Sequence, residues 1–286
     1  MTTDQHVSTD QHVSTDVPDP LMNASEIELA AARHWQAPEE GYLGQWLLRA
    51  GSGFTGRANS ALPLGDPGVE LADAVDAVAD WYLTRNLPPM VAVPLISAAH
   101  HRLDALLSQR RWTLRSGAAF VMTAGLGAIP APPDGLTAAA GDAAARRSLR
   151  LYLADAPDEA WLARYHYRGA KLPPIAKTLL LSAPAQCFVS IRDGEADGEG
   201  DGETVAIARV SVDGDWAGLS AVEVDPGRRR RGLGTAITLA ACEQARRLGA
   251  GRMFLQVEKD NVAARALYAR IGFRDSHEYH YRVAPA

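Results

Sequence analysis

Val222-Glu223-Val224-Asp225-Pro226-Gly227-Arg228-Arg229-Arg230-Arg231-Gly232-Leu233-Gly234-Thr235 is the stretch that decides how this chain folds. An apolar alternation ends in an Asp-Pro-Gly turn, a run of arginines follows, and Gly232 and Gly234 open a segment with helical spacing. Strand, basic loop and helix in that order make a seat for a phosphate. The first N–H groups of a helix have no partner inside it, and the helix end carries roughly half a positive charge. The glycines remove side chains where a pyrophosphate must come close, and the arginines screen its charge. The loop is not a Walker loop, having no Gly-Lys-Ser/Thr, and it lacks the third glycine of a dinucleotide fingerprint. Taken alone, it also fits a solvated basic turn.

The residues downstream decide between these readings. Residues 252–257 read as a strand and 262–271 as a helix, with Asn261 placed as its N-cap and Gly272-Phe273 as a C-cap followed by a buried ring. Arg229-x-x-Gly232-x-Gly234 is similar to the Gln/Arg-x-x-Gly-x-Gly/Ala signature of the GNAT acetyltransferases. Asn261-x-x-Ala264-x-x-Leu267-Tyr268-x-x-x-Gly272-Phe273 resembles that family's second motif, at the expected distance. The resemblance spans about 147–285 and is most specific from 219 to 273. Its wording is nearest to bacterial N-terminal-amine acetyltransferases of the ribosomal-protein type.

The resemblance implies an acetyl-CoA-dependent transferase that passes an acetyl group to a primary amine by direct attack. It implies that Val222 and Val224 pair their backbone with the pantetheine arm, and that the N–H of Val224 polarises the thioester carbonyl. Arg229, Arg230, Arg231, Gly232, Leu233, Gly234 and Thr235 hold the pyrophosphate. Asn261 and Ala264 line the coenzyme A side of the next helix, and Tyr268 protonates the departing thiolate. One departure matters. The relatives carry a Glu twelve residues before the acid tyrosine, and here that position is Gln256, which cannot act as a base. Glu223 and Glu258 remain, and Glu223, beside the thioester, is the expected general base. The missing Glu puts a peptide N-terminus as acceptor in doubt. It also keeps a second reading open, a non-catalytic acyl-CoA sensor, and a third is a transferase of a longer acyl group. Tyr165 and Tyr167 fall where the family's first helices shape the acceptor cleft.

Further out, the chain divides. Its 286 residues suit two domains of roughly 130 to 140 residues better than one. Residues 1–22 repeat Thr-Asp-Gln-His-Val-Ser and read as a disordered tail. The Ala/Gly/Pro-rich segment 129–146 reads as a linker between a first domain, 23–128, and an acetyl-CoA-binding domain, 147–286. In the first domain, 25–35, 71–85 and 100–109 have helical spacing, and 45–50, 58–64, 90–95 and 118–123 read as strands. In the second, 148–154, 186–192, 204–212 and 218–224 read as strands and 158–167, 175–181 and 234–248 as helices. Ser60-Ala61-Leu62-Pro63-Leu64-Gly65-Asp66-Pro67-Gly68 resembles Ser220-Ala221-Val222-Glu223-Val224-Asp225-Pro226-Gly227, and similar elements follow each. The expected fold is therefore α/β (α+β): two GNAT-like mixed-sheet domains with helices on both faces. The first is degenerate, because Asp66 to Leu71 has neither the Gly-x-Gly nor the arginines. Gly53-Phe54-Thr55-Gly56-Arg57-Ala58-Asn59-Ser60 is richer in glycine and polar groups than a plain loop requires, and is expected to help form the acceptor site.

Composition excludes several classes. A net charge of −5 argues against nucleic acid as a partner, and no apolar run reaches the about 20 residues that cross a bilayer. Cys187 and Cys242 sit in apolar runs with no ligand-spaced partner, so no metal is expected and a cytoplasmic setting is. The expected partner is an amine acceptor, with the chain a monomer or homodimer.

Overall fold

In a computed structural model, the structure describes residues 24–132, 149–166, 171–194 and 202–285. The expected tail, the core of the linker, Tyr167 and the Gly/Asp/Glu tract at 195–201 lie outside these residues.

The first half runs α1 (Ala24–Arg33), β1 (Glu39–Leu43), β2 (Trp46–Ala50), α2 (Leu71–Leu83), β3 (Met90–Pro94), α3 (Ala98–Gln109), β4 (Thr113–Leu114) and β5 (Ala119–Gly125). The second runs β6 (Leu149–Ala154), α4 (Glu159–Arg164), α5 (Ile175–Leu180), β7 (Ala185–Asp193), β8 (Glu203–Asp213), β9 (Trp216–Val224), α6 (Leu233–Arg247), β10 (Arg252–Glu258), α7 (Val262–Ile271) and β11 (Arg274–Val283). Two local expectations change. Residues 58–64 form no strand and make only isolated bridges, Leu47 to Leu62 and Ala61 to Val91. The hairpin strand β1 has no period-2 alternation of apolar residues to announce it, and most of it is exposed.

The halves do not close separate sheets. Among the described residues one sheet runs β3-β11-β5-β10-β9-β8-β7-β6, with β4 beside β11. Strand, helix and closing strand recur in both halves, as β3–α3–β5 and β10–α7–β11, but the closing strands are exchanged. β5, from the first half, lies antiparallel between β10 and β11, and β11, from the second, lies between β5 and β3. Each half thus completes the other's sheet.

Burial follows strand alternation. Met253, Leu255 and Val257 of β10 join Ala217, Leu219, Val222 and Val224 of β9 under α6 and α7, in the core that holds Tyr268 and Phe273. Phe254 and Trp216 face the other way, toward α1. Beyond them on that face, Trp35, Trp161, Tyr165, Phe188 and Ala221 form a cluster with α4 and α5. The second half's active strands are therefore covered on one face by residues of the first half.

A polar tie closes the first half. The buried Tyr82 hydroxyl accepts from the Arg49 N–H at 3.2 Å and donates to the Arg49 carbonyl at 3.0 Å. Tyr82→Phe strands both backbone groups in the core and is expected to cost about 1–3 kcal/mol of stability. Urea denaturation checks this, and an unchanged midpoint refutes it.

Candidate active site

The site is a fork in the sheet. β9 and β10 pair in parallel from Trp216–Arg252 to Leu219–Leu255 and then part. The cause is in β9, where two residues (221 and 222) stand opposite one on β8 (208), and the extra residue sits at Ala221, φ 53°. Such a bulge bends its strand and adds twist. Here it swings the end of β9 away from β10.

The bulge leaves the backbone of β9 open. Asp225 donates its N–H to Val205 on the β8 side at 2.9 Å. Peptide groups alternate along a strand, so the N–H of Val224, and likewise that of Val222, points into the fork. The Asp225 side chain accepts from the Gly227 N–H at 2.8 Å and starts the basic loop with a short 3-10 turn. Arg230 (φ 61°) and Gly232 (φ 82°) then turn the chain into α6 in left-handed conformations. No side chain caps α6, and its first intrahelical bond is Ala236 N–H to Gly232 at 3.0 Å, which leaves the N–H groups of Leu233, Gly234 and Thr235 for a ligand. A Cβ at Gly234 would press on Leu267 Cδ1 at 3.0 Å, so the glycine gives α6 and α7 room to approach without displacing that side chain.

The arginines divide by role. Arg228 pairs with Asp193 at 2.8 Å, and Arg229 Nε donates to the Val224 carbonyl at 3.4 Å. Arg230 and Arg231 are exposed and make no recorded pair among the described residues. Asn261 caps α7, accepting from the Ala264 N–H at 3.1 Å, while its amide stays exposed. Tyr268, two turns on and on the same helix face, is buried beside Cys242, with its ring edge-on to Phe273 at 6.0 Å. Burial, and then the Cys242 thiol, push its phenol up to about 12.

The opposite face carries different chemistry. Glu223 accepts from the His166 N–H at 2.7 Å, and the His166 ring lies 3.3 Å away. Burial holds its carboxyl above the usual range, against the pull of His166 and Arg164. Gln256 points to the same face and accepts from Arg57 Nη1 at 3.5 Å, which brings the Gly53–Ser60 segment to the fork. Glu258 is exposed at the end of β10. Tyr165 does not face the cleft. It is buried against Trp161, ring centroids 5.4 Å apart, and the residue that reaches Glu223 is its neighbour His166. The sequence offered no sign of His34 and Trp35, which follow α1 and belong to no motif that connects them with the fork. They nevertheless line its base with Arg57, Ser220 and Gln256.

A larger cleft, about 1600 Å³, lies elsewhere, bordered by Pro63, Gly65, Leu71, His100 and His277. It adjoins the first half's counterpart of the arginine loop, but it has no basic loop and no tyrosine in the place of Tyr268. The arginine loop, the unbonded N–H groups of α6 and Tyr268 gather at the fork instead.

A forked mixed sheet with an uncapped, glycine-opened helix at the fork is the construction of the GNAT N-acetyltransferases, and the comparisons agree. A family model described as "Probable histone acetyltransferase Rv0428c C-terminal" matches residues 23–282. The chain belongs to that acetyltransferase family. An uncharacterized N-acetyltransferase of Bacillus subtilis, YobR, is 30% identical over 267 residues, 90% of this chain and 97% of its own length. Two solved structures share the fold. A GCN5-related N-acetyltransferase from Kribbella flavida has a TM-score of 0.65 at 16% identity, over 92% of this chain and 96% of that one. A tandem GNAT protein from the clavulanic acid biosynthesis pathway has 0.56 at 14%, over 91% and 88%. The expected superfamily, fold class and enzyme class therefore hold. Among the described residues no helix is long and apolar enough to cross a membrane.

Proposed function

We propose that the chain transfers an acetyl group from acetyl-CoA to a primary amine at the fork between β9 and β10. The observation that carries this reading is the division of labour across the fork. Open strand backbone, phosphate loop and Tyr268 lie on the α6/α7 face, and Glu223 on the other. The residues suit coenzyme A on two counts: among the described residues three N–H groups of α6 and the side chains of Arg230 and Arg231 have no partner, and the glycine at 234 leaves α6 room beside Leu267 of α7.

In this reading Leu233 to Thr235 and Arg229 to Arg231 bind the pyrophosphate, and the Asn261 amide and Ala264 flank it. The Val222 and Val224 backbone aligns the thioester arm. Glu223 takes a proton from the acceptor ammonium, and the freed lone pair forms the N–C bond. The Val224 N–H stabilises the oxyanion. As the C–S bond breaks, Tyr268 passes its proton to sulfur, and the second proton that nitrogen sheds on becoming an amide restores the phenol through solvent. Burial raises phenol and thiolate alike, so neither reacts in a water-like environment. A cytoplasmic setting fits the two buried, reduced thiols.

Calorimetric titration with acetyl-CoA, followed by thiol-release assays, tests the reading. One site per chain is expected, and absence of binding sinks it. The acyl-CoA sensor reading is favoured by Gln256 alone, and binding without thiol release would select it. Propionyl- and succinyl-CoA in the same assay decide the acyl chain. Glu223→Gln is expected to lower kcat/KM about 10²-fold and to remove the acidic limb of the pH profile. In the parent enzyme that limb lies above the usual carboxylate range, because the base works only when ionised and burial raises its pKa. A variant that keeps that limb removes Glu223 from the role.

A further inference from the structure

Two guanidiniums lie at the base of the fork, and among the described residues no carboxylate answers them. The Trp35 ring has Arg57 Cζ at 4.4 Å and Arg209 Cζ at 5.2 Å. Arg209 is buried and committed: Nε donates to the Leu180 carbonyl at 2.7 Å, and Nη2 to the His34 carbonyl at 3.2 Å and Gln186 Oε1 at 3.4 Å. Arg57 is half-buried, and its hydrogen bond to Gln256 Oε1, at 3.5 Å, is long. Among the described residues no carboxylate pairs with it. The recess beside it, about 20 Å³, has no Asp or Glu among its lining residues. Partly buried positive charge without a counter-ion is costly, and it attracts an anion and repels a cation.

The same recess holds two unanswered polar atoms, His34 Nε2 and Ser220 Oγ, both buried. Their roles follow from the bonds around them. Ser211 donates its hydroxyl proton to the Gly218 carbonyl at 3.3 Å, so at 2.8 Å it accepts from His34 Nδ1–H. His34 Nε2 is then a bare acceptor turned into the recess. Gly218 is required here, since a Cβ would meet His34 Nδ1 at 3.0 Å and Phe254 Cζ at 2.8 Å. An amine N–H at the mouth satisfies such an acceptor through the one water that a recess of about 20 Å³ admits.

We propose that the acceptor is a zwitterion of the α-amino acid class, its carboxylate held by Arg57 and its amine directed by His34 Nε2 and Ser220. This rests on the acetyltransferase reading above and adds the substrate class. Glu223 lies on the same face of β9 as Ser220, so anion and ammonium each meet an opposite charge. Stacking on Trp35 holds the planar guanidinium in place for a two-point contact with a carboxylate. An α-amine also loses its proton more readily than a lysine side chain. A lysine in a basic peptide, or a polyamine, would bring further positive charge toward Arg57 and Arg209.

Matched pairs test the assignment. Thiol release from acetyl-CoA is measured with each proteinogenic amino acid and with the amine left when its carboxyl is removed, phenylalanine against 2-phenylethylamine and histidine against histamine among them. The carboxylate-bearing member of at least one pair is expected to show kcat/KM about tenfold or more above its partner. Arg57→Met keeps the stem on Trp35 and is expected to erase that difference through KM, with acetyl-CoA affinity retained; Arg57→Lys restores part of it. Equal or better turnover of the bare amines overturns the proposal. So does acetyl-CoA binding without turnover of any member, or an Arg57→Met enzyme with unchanged KM. Failure to bind acetyl-CoA at all strikes instead at the acetyltransferase reading beneath it.

Discussion

Tyr268→Phe is expected to lower kcat about 10²- to 10³-fold while acetyl-CoA affinity stays within about threefold. The substitution removes one O–H and little else. The ring remains edge-on to Phe273 in the core under α6 and α7, so packing is preserved. Without the phenol the thiolate must leave unprotonated from a site that solvates charge poorly, and the barrier to C–S cleavage rises. With the phenol near 12, the parent enzyme holds its acid proton through the whole working range. Its pH profile should show no alkaline limb from this group below that value. Thiol-release kinetics together with calorimetry check both statements, and an unchanged kcat removes Tyr268 as the acid.

The second large effect is structural. A fragment beginning at residue 133 is expected not to fold as a stable monomer, although it contains every residue of the proposed acetyl-CoA site. It lacks β5, whose residues pair with β10 from Gly125–Arg252 to Ala119–Glu258 and with β11 on the other side. Removing β5 exposes two strand edges and takes Val121, Met122 and Ala124 out of the core. At about 1.5–3 kcal/mol for each larger apolar side chain, plus the lost ladder, this consumes most of the 5–15 kcal/mol that stabilises a typical domain. Aggregation, or dimerisation through the open edges, is the expected outcome, and co-expression with residues 1–132 is expected to restore soluble, acetyl-CoA-binding protein. A well-folded monomeric fragment with full affinity would show that the exchanged strands are dispensable.

Much of the site was legible because its signals are local. Asn261 as an N-cap and Gly272 as a left-handed C-cap follow from backbone groups within one turn. The phosphate loop was readable for the same reason, since its chemistry lies in consecutive residues from Asp225 to Thr235. Even the departure at Gln256 was visible. The structure adds that Arg57 is its partner, which changes the meaning of the substitution: a Glu there would neutralise the guanidinium now left for an anion. What was not legible depends on pairing between distant segments. Residues 118–123 read as a strand, but nothing in them says between which neighbours they lie. Tyr165 stands next to the cleft in sequence, yet its ring is spent in the core.

The sequence by itself determined most of the elements and the caps of α7, because each is encoded by interactions over a few residues, and through the resemblance it supplied the proposed phosphate loop and acid tyrosine. Only the tertiary structure decided that the halves exchange their closing strands, that the bulge at Ala221 opens the fork, and that His34, Trp35 and Arg57 of the first half stand over β9 and β10 of the second. These depend on which strand edges meet and which faces bury one another, and that choice is made by the whole folded chain.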